Sequence, residues 1–178
     1  MRFARLSMFA CLCLSIACLA VVAMKVGDPP GMQMATFAES FIGTLDDEQK
    51  SVALMPYDSP KRVDWHFIPK KTRKGLVIRE MNTAQRTAAL RLVRAALSEA
   101  GYDKASKIML LEGVLRKLEG EGRRWERDPH KYYMTIFGKP SDTDAWGMSF
   151  EGHHLSLNFV VRDGRVADST PQFFAANP

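Results

Sequence analysis

Apolar and polar positions alternate along this chain in three distinct rhythms. From Leu6 to Met24 the residues are apolar, interrupted only by Ser7 and Ser15. Phe37, Ala38, Phe41, Ile42 and Leu45 then recur at helical spacing. Asp46, with Gln49 three residues on, has the form of a capping box and predicts a second short helix, closed by Pro56. Val63 to Ile68 alternates, with Val63, Trp65 and Phe67 on one face, which predicts a strand. The basic stretch Pro69–Gly75 reads as a loop. Asn82 and Gln85 form another capping box, opening a helix over 83–100 with Ala89, Leu92, Val93, Ala96 and Leu97 as its apolar stripe. Gly101 fits a C-cap. A further helix is predicted over 103–118, with Ile108, Leu111, Leu115 and Leu118 inward, so that the two helices make an αα-hairpin.

After Gly120 the rhythm becomes that of strands. Tyr132–Phe137 is β-rich, Gly138–Asp144 is a turn, and Trp146–Phe150 and His153–Arg162 alternate. Asp163-Gly164 is a two-residue hairpin signal leading into Arg165 and Val166. Helices followed by an antiparallel sheet is the α+β pattern. It is predicted as one domain over residues 32–178, preceded by a linker over 24–31 that contains Val-Gly-Asp-Pro-Pro-Gly.

The first apolar run has a different purpose. Arg2 and Arg5 form a basic n-region, and Val21 and Ala23 are the small residues a signal peptidase reads. Residues 1–23 are therefore expected to be a signal peptide or an uncleaved signal anchor, with lipidation at Cys18 a third reading. The expected location is periplasmic, extracellular or membrane-anchored, with membrane contact only through this segment. Cys11, Cys13 and Cys18 all lie in it. The domain that follows can use neither disulfides nor thiolate ligands. Taking Arg2 and Arg5 from the formal net charge of +5 leaves +3. So small an excess argues against a nucleic-acid partner.

Candidate chemistry concentrates at Glu151-Gly152-His153-His154. Before it, the apolar face falls on even positions (Trp146, Met148, Phe150); after it, on odd positions (Leu155, Leu157, Phe159, Val161). A regular strand keeps its parity, so a bulge or bend is expected at Gly152. His154, Ser156 and Asn158 then fall on the polar face. The functional reading is a metal-assisted or acid–base hydrolytic site for a divalent ion: Glu151 as base or ligand, His66, His153 and His154 as ligands, and Asn158 orienting substrate or water. Asp128 and His130 are further candidates to join it. The competing reading is structural, with His153 donating to a backbone carbonyl or to Glu151 so as to fix the bend. No Gly-x-Ser-x-Gly elbow, phosphate loop or Rossmann fingerprint is present. Arg123, Arg124, Arg127 and Asp128 suit an acidic ligand or a loop ion-pair network. Trp65 and Trp146 suit a sugar pocket or, as members of alternating strands, the core. Met24, Met32 and Met34 point only faintly to soft-metal handling. The rival to an enzyme is a non-catalytic envelope module that binds a partner through its basic loop.

Trp65-His66-Phe67-Ile68-Pro69, Arg73-Lys74-Gly75-Leu76, Gly101-Tyr102, Arg127-Asp128-Pro129 with Tyr132-Tyr133, Ile136-Phe137-Gly138, Trp146-Gly147, Glu151 through Asn158, and Thr170-Pro171 together resemble the domain-of-unknown-function family 3500. The likeness covers essentially everything after the linker. It implies an exported protein, and a pattern that continues past the Thr-Pro segment. It implies no reaction.

Overall fold

The computed structural model describes residues 28–122 and 124–177. The expected leader with its three cysteines, Met24 and the start of the linker, and Arg123 lie outside the described residues.

The first helix, α1 (Pro30–Gly43), opens on Pro30, whose missing N–H is one that no helix start can pair. Its inward face carries Met34, Ala38 and Phe41, all fully buried. Met34 is thus a core residue rather than a linker one. Helix α2 (Asp47–Ala53) has the expected capping box, with Asp46 and Gln49 bonded in both directions, and runs into strand β1 (Leu54–Met55). After an irregular segment come β2 (Leu76–Val77), a 3-10 turn over Ile78–Glu80, and helix α3 (Thr83–Ala96) with its own complete capping box at Asn82 and Gln85. Helix α4 (Glu99–Glu119) follows after two residues. The strands β3 (Tyr133–Phe137), β4 (Trp146–Gly152), β5 (Leu155–Arg162), β6 (Arg165–Asp168) and β7 (Gln172–Phe174) complete the chain. The architecture is α+β, helices first.

The sheet runs β1-β3-β4-β5-β6. Strand β2 shares the outer edge of β3 with β1, and β7 shares the outer edge of β5 with β6. Every ladder is antiparallel, as expected, except β1 on β3, which is parallel and makes the sheet mixed. One face carries Met134, Ile136, Trp146, Met148, Phe150, Leu155, Leu157 and Val161 into a core shared with α1 and α3. Trp146 is core, as its alternation suggests. Helix α3 packs chiefly on α1, while α4 touches α3, β5 and β7.

Four local expectations change. Residues 63–68 form no strand; they belong to an irregular strap, residues 56–75, broken by a 3-10 turn at Pro60–Arg62. Val63 is 70% exposed, so the apolar face that the alternation predicts is not buried as a unit. Gly101 is no C-cap. Ser98 caps α4 by accepting the Gly101 N–H at 3.1 Å, which puts Gly101 in the first turn. Leu118 faces solvent. The parity switch also has a simpler cause than a bulge. His153 and His154 are the two central residues of a hairpin turn, and Gly152 pairs with Leu155 across it. Antiparallel partners across a two-residue turn, such as Phe150 and Leu157, necessarily have opposite parity. The left-handed backbone sits at His154 (φ 61°) and not at Gly152. Gly152 is needed for close approach instead: a Cβ there would lie 2.2 Å from Cδ1 of Tyr132.

Candidate functional site

Strand β4 is central and buried on both faces. Its second face, shared with β3 and β5, is polar. Glu151 lies beside Tyr133 and Ser156 in register, and Ser149 lies between Thr135 and Asn158. The strap covers this face. Gly75 (φ 90°) lets the strap descend onto β3, where a Cβ would meet the Thr135 hydroxyl at 2.3 Å. Lys74 then reaches inward. Its Nζ donates to Glu151 Oε1 and to the Asp64 carbonyl, each at 2.6 Å, and the Lys74 and Glu151 side chains are 5% and 3% exposed. Arg73 ties the strap to itself by donating from Nη1 to the His66 carbonyl at 2.6 Å and from Nη2 to the Ile68 carbonyl. The hairpin amide of His154 donates to Phe67 O at 2.8 Å, and the Phe67 and Phe173 rings stack at 3.9 Å.

At the hairpin, the side chain of His153 meets a residue the sequence reading did not select. Nδ1 of His153 lies 2.5 Å from Oε1 of Glu112 on α4, and Glu112 is 4% exposed. Arg127 closes the group. Its guanidinium forks onto Glu119 at 2.7 and 2.8 Å, lies 3.9 Å from Glu112 Oε2, and approaches His153 Nδ1 at 3.1 Å. Nδ1 cannot donate to Glu112 and accept from Arg127 at once. The shorter contact decides: Nδ1 carries the proton and donates to Glu112, while Arg127 is held by the two carboxylates. In the neutral ring this leaves Nε2 as the basic nitrogen. Tyr132 donates its hydroxyl to the His153 carbonyl at 2.9 Å. Burial, reinforced by nearby Glu112, pushes the Tyr132 phenol far up, so it stays a donor. Beside His153, Glu112, Arg127 and Tyr132 is a cavity of about 20 Å³, space for a single water.

The remaining expected site residues scatter. The His154 ring lies 3.9 Å from that of His153. Burial and then the neighbouring imidazole hold its pKa below 6.5, so it is neutral at pH 7. Glu151 is engaged by Lys74 rather than by either histidine. His66 pairs with Asp64, Nε2 to Oδ1 at 3.0 Å, on the outer side of the strap. Asn158 is on the polar face, but its amide donates to Ser156 and to the Pro171 carbonyl. Asp128 accepts from the His130 amide and lies 3.8 Å from Arg79. The structure does not bring His66, His153, His154 and Glu151 together. Among the described residues, no three of His, Cys, Asp or Glu converge to hold a metal ion. Arg127 belongs to the ion-pair network, and Arg124 stacks over Trp125.

Glu112 carried one signal in the sequence. It falls with Ile108 and Leu115 on the buried stripe of α4, where a carboxylate needs a partner.

A family model described as a protein of unknown function, DUF3500, matches residues 28–178. No curated protein and no solved structure matches the chain.

Proposed function

The chain belongs to the DUF3500 family, and from that premise we propose that it is an exported protein whose acid–base group is His153, oriented by Glu112, acting in a hydrolytic step. The observation that carries the reading is the 2.5 Å contact between His153 Nδ1 and a nearly buried Glu112 carboxylate. Such a carboxylate fixes the tautomer and stabilises the imidazolium that forms when Nε2 takes a proton. The adjacent cavity, large enough for one water and bounded by Arg127 and Lys131, is suited to the attacking water and to developing negative charge. Export rests on the basic n-region and the Leu6–Met24 run.

A structural reading of the same network is favoured by Arg127, whose two bonds to Glu119 and approach to Glu112 latch α4 onto the hairpin. The two readings part on one experiment. The full chain is assayed against chromogenic carboxylic esters, phosphate esters and glycosides. The proposal expects turnover of at least one class, and a loss of about 10²- to 10⁴-fold in His153→Gln with the far-ultraviolet spectrum unchanged. Glu112→Gln should lose activity in the same direction. No turnover of any class, or turnover indifferent to His153→Gln, overturns it. A reporter active only outside the cytoplasm, fused after Lys25, tests export; activity only inside the cell would exclude it.

A further inference from the structure

We infer that the cavity of about 260 Å³ bordered by the strap, walled by Lys61, Lys70, Arg73 and Lys74, is a binding site for a small molecule bearing an oxyanion, a phosphate or a carboxylate. This site is distinct from the small cavity beside His153, although Lys70 and Arg73 line both. The inference stands on its own charges and does not need His153 to be catalytic.

The wall holds four Lys and Arg side chains against two carboxylates, Asp64 and Glu151, an excess of two positive charges. Those carboxylates are already engaged. Glu151 is bonded to Lys74 at 2.6 Å, and Asp64 Oδ1 faces His66 Nε2 at 3.0 Å. With Lys74 paired to Glu151, the other three cations, Lys61, Lys70 and Arg73, share the wall with a single carboxylate, Asp64. Arg73 is the most telling of them. Its two terminal nitrogens donate only to neutral backbone carbonyls, those of His66 and Ile68, and no carboxylate lies within ion-pairing distance among the described residues. Burial accordingly pulls its pKa down, an effect that the field of Glu151 only partly offsets. A partly buried guanidinium without a counter-charge is a poor choice for stability alone. Lys61 and Lys70 likewise make no ion pair with a described residue, and the Thr72 hydroxyl sits on the same wall as a further donor. The donors are fixed in advance, since Arg73 and Lys74 are bound to the strap and the sheet, and preorganised donors lose little entropy on binding. The volume is below the usual range for drug-sized ligands, which favours a small anion.

The test uses the full chain at low ionic strength, titrated by calorimetry with inorganic phosphate and, separately, with acetate. Saturable binding of either anion is expected, and which one binds more tightly identifies the oxyanion. Binding should weaken by about tenfold or more in the Lys61→Gln, Lys70→Gln double variant, the loss expected for removal of a charge-assisted hydrogen bond. It should be unchanged in Lys104→Gln, a control on α4 away from the cavity, and retained in His153→Gln. The last variant keeps this inference separable from the acid–base reading, because loss of turnover there with anion binding intact touches only the latter. The inference is overturned if neither anion saturates, or if the double variant binds as the parent does, or if the Lys104→Gln control weakens binding equally.

Discussion

Replacing Lys74 by methionine removes the cation that faces Glu151 and leaves the stem of the side chain in place. The Glu151 carboxylate then stays at the sheet centre, its side chain 3% exposed, with no ion-pair partner among the described residues. The Asp64 carbonyl also loses its donor, but Asp64 is exposed and water can replace that bond. The dominant cost is the stranded charge, and breaking one partner of a buried pair costs about 3–5 kcal/mol. Against a total stability of about 5–15 kcal/mol, that is a large fraction. Removing both charges behaves differently. Lys74→Met with Glu151→Leu should lie within about 1–2 kcal/mol of the parent, because the apolar pair needs neither desolvation nor a counter-ion. The two substitutions should thus be strongly non-additive. Urea unfolding of the parent, both single variants and the double variant closes the cycle, with midpoints compared at constant slope. The same cycle bears on the expectation that Glu151 is a general base. A carboxylate held for catalysis is removed at little cost in stability, or with a gain. If Lys74→Met costs less than about 1 kcal/mol, the pair is not the structural tie described here and Glu151 returns as a candidate for chemistry.

Gly152→Val should destabilise by about 1–3 kcal/mol through overpacking against the Tyr132 ring, read as a lower urea midpoint; a harmless substitution would mean that the ring is free to move away. Ser149→Ala should be neutral or raise the thermal midpoint, since the Ser149 hydroxyl is buried without a partner among the described residues, and a clear loss would reveal a hydrogen bond there. His154 makes stability depend on pH. Its pKa is lowered in the folded chain, so the unfolded chain binds the extra proton first, and stability falls as pH drops below 6.5 toward the folded value. His154→Gln should flatten that part of the profile, and an unchanged profile would assign the titration elsewhere.

Much of the fold was legible from local chemistry. Asp46 with Gln49 and Asn82 with Gln85 are capping boxes whose bonds are satisfied within four residues, so the helix starts are set by residues adjacent in sequence. The end of α3 was misplaced because Gly101 resembled a stop, while the cap that matters, Ser98, starts the next helix three residues earlier. The alternation of Val63, Trp65 and Phe67 misled for a different reason. Alternation specifies a strand only when an edge is available to pair, and β2 and β1 already occupy the free edge of β3. At the candidate site the histidine pair was visible, but its partners were not. Glu112 lies 41 residues from His153 in sequence and meets it only because α4 crosses behind the hairpin. The basic run before Gly75 looked like a solvated loop, yet Arg73 and Lys74 turn inward, because the strap covers a polar sheet face whose one carboxylate needs a cation.

Whether Glu112 holds His153 as a base, with the proton on Nδ1, can be read by nitrogen-15 NMR of the histidine rings in the parent and in Glu112→Gln. Neutral His153 should carry its proton on Nδ1 in the parent, and this preference should weaken or be lost once the carboxylate is gone. A neutral His153 protonated on Nε2, or one whose tautomer is indifferent to Glu112→Gln, would contradict it.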